Sequence, residues 1–245
     1  MWRRSLSCRE AVSPTQVINT WNEGPLHAAL KAWYAQPDDA LEVPVDGFII
    51  DLVRGDLLVE IQTRGFTALK DKLTALTRTH PVRLVYPIAQ EKWIVKLADD
   101  GKSQASRRKS PKRGSIEQLF DELVSIPHLL AQPNFTLEVL FIHEEEVLRA
   151  STRHGWRRKG WVTHERRLIK VVEQQLFTSP ADVRALIPAA LTEPFTAADL
   201  TAHITGGRRR AQKMAYCLRA MGELVQVGKR GRAVLYQPTH TIEKV

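Results

Sequence analysis

Four polar residues in one short apolar stretch carry the types that metal-assisted hydrolysis needs: Asp46, Asp51, Glu60 and Gln62. Glu60-Ile61-Gln62 sets two polar side chains on one face of a run otherwise made of Leu57, Leu58, Val59 and Ile61. Asp46 heads the run before it. Two carboxylates on adjacent strands can hold a hard divalent cation through oxygen, and such an ion lowers the pKa of bound water and stabilises a leaving 3′ oxygen. If the chain turns on Arg54, Gly55 and Asp56, Ile50 lies opposite Glu60 and Phe48 opposite Gln62. Asp46 then shares their face, just beyond Gln62. A two-residue turn at Arg54-Gly55 would select Asp51 instead, because a slip of one residue flips every side chain. Taken singly, the aspartates also read as turn or edge acids and Glu60 as a satisfied buried polar group. The arrangement is what points to chemistry.

The elements around these residues read as a mixed α/β layer. Leu26, Leu30 and Trp33 form a helical stripe that Pro37-Asp38-Asp39 ends. Val43 to Val53 and Leu57 to Thr63 read as a β-hairpin. A helix from about Thr67 to Thr79 buries Leu69, Leu73 and Leu76, and His80-Pro81 stops it. Val82 to Ile88 and Trp93 to Ala98 read as two short strands. Residues 99–113 read as a loop carrying Arg107, Arg108, Lys109, Lys112 and Arg113, which could track phosphates. Ser115 to Ser125 reads as a helix and Leu137 to Ile142 as a strand. Glu144-Glu145-Glu146 reads as a solvated charged face. His154-Gly155-Trp156-Arg157-Arg158-Lys159-Gly160-Trp161 precedes an expected helix through Leu176, with tryptophans that could stack on unpaired bases.

The order helix, hairpin, helix, strand, with an acid ahead of Glu60-Ile61-Gln62, resembles the PD-(D/E)xK nuclease superfamily over residues 20 to 98. That resemblance implies a restriction-endonuclease-like mixed sheet flanked by helices. It also implies a Mg²⁺- or Mn²⁺-dependent endodeoxyribonuclease. Asp46 matches the first metal acid, and Glu60 with Gln62 matches the (D/E)xK pair. Glu23 matches the helix acid of resolvase-like members. Gln62 stands where lysine is usual; some members carry glutamine there with a lysine supplied elsewhere, for which Lys70 and Lys72 are the candidates. That departure keeps a second reading open, a DNA-binding regulator on a degenerate nuclease fold.

The C-terminal quarter has its own pattern. Thr196 and Asp199 are spaced as a capping box at the start of a short helix. A longer helix runs from Arg208 to Met221, with Gly222 as its C-cap. Two strands, Leu224 to Val227 and Ala233 to Tyr236, flank the basic loop Gly228-Lys229-Arg230-Gly231-Arg232. This segment resembles winged helix-turn-helix domains. Ala211, Met214, Leu218 and Met221 would be core. Arg208, Arg209, Gln212, Lys213, Tyr216 and Arg219, with Lys229, Arg230 and Arg232 of the loop, would face DNA. A winged helix can also bind protein, which leaves an adaptor as a further alternative.

These readings divide the chain into a flexible start (1–20), a nuclease-like α/β domain (21–150), a basic linker with a connecting helix (151–179) and a winged helix (180–240). Net charge is +9 over 245 residues, a balance that favours a polyanion such as DNA. Two distant cysteines, Cys8 and Cys217, argue against a zinc site or disulfide framework. With no apolar leader or spanning stretch evident, the expectation is a cytoplasmic protein that meets DNA, no membrane, and a second copy of itself if it dimerises.

Overall fold

Helix α1 (Pro25–Tyr34) has proline in its first turn, where a missing N–H costs nothing. It packs Leu26, Leu30 and Tyr34 against Leu52, Val59, Ile61, Val85, Leu140 and Ile142. The buried stripe therefore ends on Tyr34 rather than on the expected Trp33, which is 45% exposed. This computed structural model describes residues 24–98, 100–151 and 160–239. The expected mobile start, Glu23 and the Trp156-Arg157-Arg158-Lys159 stretch lie outside the described residues.

After α1 the chain forms a meander of β1 (Ala40–Val45), β2 (Phe48–Arg54) and β3 (Leu57–Ile61). The expected single strand from Val43 to Val53 is broken by the turn Asp46-Gly47, where both residues have positive φ, as a two-residue hairpin loop of the primed type requires. A one-turn 3₁₀ segment (Phe66–Leu69) leads into α2 (Lys70–Leu76), which crosses over so that β4 (Val82–Leu97) lies parallel to β3. The two expected strands within 82–98 are one sixteen-residue strand. The basic loop expected at 99–113 contains β5 (Gln104–Lys109), an exposed strand antiparallel to the far half of β4. A 3₁₀ turn and α3 (Phe120–Leu123) precede β6 (Phe135–Ala150), parallel to β4, and β7 (Trp161–Phe177), antiparallel to β6. Among the described residues these seven strands form one mixed sheet, in the order β1-β2-β3-β4-β6-β7 with β5 beside β4. On the face away from α1, Leu73, Leu76, Phe120 and Leu123 pack against Leu58, Val82, Leu84, Leu137 and Val139.

Two expectations on this sheet are corrected. Residues 161–176 are a strand, not a helix. The register to β6 skips His164, Ile169 and Val172, so three bulges interrupt the alternation. Leu168 and Val171 both pack on the α1 side at a helical spacing because bulged Ile169 lies between them. Secondly, Glu144 and Glu146 are buried within β6 rather than solvated. Glu144 is fully buried, with its oxygens 2.9 Å from Lys92 Nζ and 2.6 Å from Arg166 Nη2. Charges can lie this deep only when paired.

The C-terminal unit comprises α4 (Pro180–Arg184), α5 (Ala197–Thr201), α6 (Gly207–Ala220), β8 (Leu224–Arg230) and β9 (Ala233–Pro238). Thr196 and Asp199 make the expected capping box on α5. Phe195 pairs with Tyr236, adding a short rung to the β8–β9 hairpin. Val183, Leu200, Ala211, Met214 and Leu218 belong to the same apolar cluster as the α2–α3 side of the sheet. The linker expected at 151–179 is thus largely β7, an integral strand. Among the described residues no helix is long and apolar enough to cross a membrane.

Candidate active site

The hairpin β2–β3 decides which acids meet. Its turn is Gly55-Asp56, with Arg54 paired to Leu57, Val53 to Leu58 and Leu52 to Val59. Relative to a three-residue turn the register moves by one, which brings Asp51 rather than Asp46 to Glu60. Asp46 instead sits in the β1–β2 turn, 60% exposed, with an oxygen 3.0 Å from His80 Nε2. Beyond the Leu52–Val59 pair the ladder between β2 and β3 stops, while β2 stays paired to β1 and β3 to β4. The Asp51 carboxylate takes over there, accepting the Ile61 N–H at 2.8 Å.

A cleft of about 750 Å³ opens at this point. Its lining includes Asp51 and Glu60 from β2 and β3, His27 from α1, Lys72 from α2, Gln62, Thr63 and Arg64 after β3, and Thr163 to Arg166 of β7. The Glu60 side chain is 11% exposed, and its Oε2 receives a 2.7 Å bond from Lys72 Nζ, which also donates to the Ile49 carbonyl at 2.6 Å. The Asp51 side chain is 17% exposed, with Oδ2 3.2 Å from His27 Nε2. Gln62 Nε2 donates to the Arg64 carbonyl at 2.6 Å. Of the two candidate lysines, Lys72 is in the cleft, whereas Lys70 is exposed at the start of α2 and outside its lining.

The two acids titrate in opposite directions. Burial, and then the nearby Asp51 charge, push Glu60 up to about 7 despite Lys72. Burial also works against the Asp51 charge, but His27, the Ile61 N–H and Lys72 outweigh it and hold Asp51 below the ordinary carboxylate value. Two carboxylates forced together in a cleft repel unless a cation is shared. Among the described residues no three His, Cys, Asp or Glu side chains gather as metal ligands. A pair is nonetheless the donor set with which Mg²⁺ is commonly held, since it keeps waters and takes further oxygens from a substrate phosphate. Asp51 and Glu60 fit such an ion.

Neither His27 nor Arg166 is among the residues that sequence reasoning assigned to the site. His27 reaches it from the first turn of α1, and the pattern of that helix marks only its buried stripe. Arg166 is masked in the sequence by the helical spacing of β7.

Residues 24–178 match the family described as Domain of unknown function (DUF8091). The chain belongs to the DUF8091 family. That match takes in all seven strands and every residue lining the cleft, and it ends where β7 does. An uncharacterized protein of Treponema pallidum (strain Nichols) is 34% identical over 225 residues, covering 90% of this chain and 87% of that protein. Such coverage extends beyond the DUF8091 region into the C-terminal unit. No solved structure matches.

On the C-terminal unit, Arg208, Arg209, Gln212, Tyr216 and Arg219 are exposed along α6. Lys213 departs from the expected outer face. Its Nζ lies 3.0 Å from Asp121 Oδ1 on α3, beside Arg210, whose Nη2 is 2.6 Å from Asp121 Oδ2. These two cations tie α6 to the sheet-side helices. The basic loop expected at 228–232 shrinks to the turn Gly231-Arg232, because β8 runs on to Arg230 and pairs Lys229 with Val234 and Arg230 with Ala233. Lys229 and Arg232 are exposed, and Arg230 pairs with Asp199 at 3.0 Å.

Proposed function

We propose that this protein is a metal-dependent DNA endonuclease of the PD-(D/E)xK type, with a C-terminal winged helix that positions the duplex. The observation that carries the reading is the meeting of Asp51, Glu60 and Lys72 where the β2–β3 ladder stops. The order α1, meander, crossover α2, parallel β4 is the one the resemblance requires, which supports a restriction-endonuclease-like sheet. Asp51 takes the role expected of Asp46. Lys72 supplies the cation missing at Gln62.

Asp51 and Glu60 would hold Mg²⁺ or Mn²⁺, which when bound supplies a water of lowered pKa and charge stabilisation at the leaving oxygen. Lys72 holds the Glu60 carboxylate in place and sets a positive charge where the phosphodiester gains negative charge. Gln62, held by the Arg64 carbonyl, orients the loop after β3. Arg208, Arg209 and Arg219 of α6 with Lys229 of β8 and Arg232 of the β8–β9 turn would contact phosphates, while Gln212 could read an adenine edge. The helix, Phe195 rung, two helices and hairpin of the C-terminal unit support the winged-helix reading.

The test is nicking of supercoiled plasmid with Mg²⁺ or Mn²⁺ by the wild type and by Asp51→Asn, Glu60→Gln and Lys72→Ala. Nicking that requires the metal and is lost in all three variants is the expected result. A wild type that binds DNA yet nicks none would leave a non-catalytic DNA-binding regulator. Gln62 is the observation that favours that second reading, because its amide is occupied by the backbone carbonyl of Arg64. Loss of a partner protein, with DNA affinity untouched by α6 substitutions, would point to an adaptor.

A further inference from the structure

One part of the cleft lining comes from β7, where His164 is bulged out of register with β6. Bulges beside sites of chemistry re-aim side chains, and the four residues from Thr163 to Arg166 all line the cleft. Arg166 is fixed more firmly than its neighbours. Its Nε and Nη2 donate to Glu144 Oε2 at 2.9 and 2.6 Å, and Nη1 reaches the Thr63 carbonyl at 3.5 Å. Glu144 is fully buried and is itself held by Lys92, which also contacts Glu146 at 3.2 Å. Thr163 Oγ1 donates to the other Glu146 oxygen at 2.6 Å. A row of paired charges therefore runs from β4 through β6 to β7 and ends at a guanidinium in the cleft.

Glu144 commits two of the five guanidinium N–H groups and the Thr63 carbonyl a third. One remains on each terminal nitrogen, and the side chain is 25% exposed. Two N–H groups on one planar fork match two non-bridging oxygens of a phosphate. The rotamer is already frozen by Glu144, so binding an anion orders little more of the side chain.

We propose that Arg166 is the phosphate grip of this cleft, binding a phosphodiester of a polynucleotide strand beside the one presented to Asp51 and Glu60. The grip itself is an anion site; naming its ligand as a polynucleotide rests on the nuclease reading. Glu144 and Lys92 are positioning residues that act through Arg166.

The experiment titrates the full chain with a thymidine tetranucleotide while following the arginine side-chain Nε–H resonances, and measures plasmid nicking in parallel. In the wild type the resonance assigned to Arg166 by its absence in Arg166→Gln shifts on titration. Arg166→Gln should bind the tetranucleotide about 10-fold more weakly or worse, and lose ~0.7 unit of salt slope for the single phosphate released. Arg166→Lys keeps the charge and should keep the salt slope, while losing affinity because a single ammonium cannot match the fork. If Arg166→Gln is too unstable to study, Arg166→Lys carries the test, and unchanged affinity there overturns the proposal. A lower melting temperature with unchanged tetranucleotide affinity would make Arg166 only a strut between β7 and the loop at Thr63, and the proposal would fall. Loss of binding in Arg166→Gln with a wild type that nicks nothing upholds the grip and removes the nuclease. Nicking by the wild type that Arg166→Gln leaves intact, with intact binding, does the reverse.

Discussion

The cleft and the outer face of α6 both gather polar residues, but they hold them in opposite ways. In the cleft Asp51, Glu60 and Lys72 are largely buried, and each is tied to a partner. On α6, Arg208, Arg209, Gln212 and Arg219 stand in solvent. Burying charge costs free energy that exposed charge does not. The cleft therefore gives up stability for a fixed geometry, as the proposed chemistry requires, whereas α6 offers charge without that penalty, as the proposed salt-dependent binding requires. Breaking each region should produce a different kind of loss.

The largest effect is expected at the acids. Asp51→Asn should lower nicking by more than about 10²-fold, since losing an outer-shell partner alone costs ~10–100-fold in metal sites. Asp46→Asn should leave it within about 2-fold. The pair measured side by side tests the register directly. Equal losses, or a loss confined to Asp46, would return the chemistry to the β1–β2 turn.

Next in size is a stability effect that separates the two regions without any assay of activity. Glu60 is raised from 4.5 to about 7 in the folded chain, so between those values the folded state binds more protons than the unfolded. Stability then falls as pH rises through that window and levels off above it. Asp51, held low, works the other way, and its contribution is lost only as pH falls through its own depressed value. Glu60→Gln should leave stability at pH 4 unchanged and raise it at pH 8 by up to about 3 kcal/mol, because each pH unit separating the folded and unfolded values is worth about 1.36 kcal/mol. Denaturant unfolding at both pH values measures this. A variant less stable at pH 8 would mean the Lys72 pair outweighs burial.

Smaller effects belong to α6. Arg208→Ala with Arg209→Ala should flatten the salt dependence of duplex binding by about one unit of slope for each phosphate no longer held, on every sequence alike. Gln212→Ala should instead relax preference at one position, by ~1–3 kcal/mol of discrimination. Smallest should be the change in DNA affinity for Lys213→Ala, which ought to lower the melting temperature instead, because its ammonium ties α6 to Asp121. Anisotropy titrations across salt and a sequence panel, with thermal melts, distinguish all three.

These contrasts also mark how far the sequence can be read. The apolar stripes of α1 and α2 and the β-branched runs of β2 and β3 give helices and strands from spacing alone. The capping box at Thr196 and the helix after it follow from local chemistry. The acids are visible as a group, but which aspartate faces Glu60 depends on the length of one turn, and local composition at Arg54-Gly55-Asp56 permits two lengths. The strand β7 is illegible because its bulges insert residues that convert a period of two into spacings of three. Glu144 and Glu146 look solvated because their partners, Lys92 and Arg166, are remote in sequence. Lys213 shares a helical face with Arg209 and Tyr216, and only tertiary packing against Asp121 removes it from solvent.

The apolar cluster that joins α6 to the sheet has a thermodynamic consequence. Met214, Leu218 and Phe195 share one core with Phe120, Leu130 and Phe177, so the two halves cannot be unfolded one at a time without wetting that core. Heating should give a single cooperative transition, with calorimetric and van't Hoff enthalpies in agreement. Cutting the chain after β7 would not release a free-standing sheet, but a sheet with one greasy face in water.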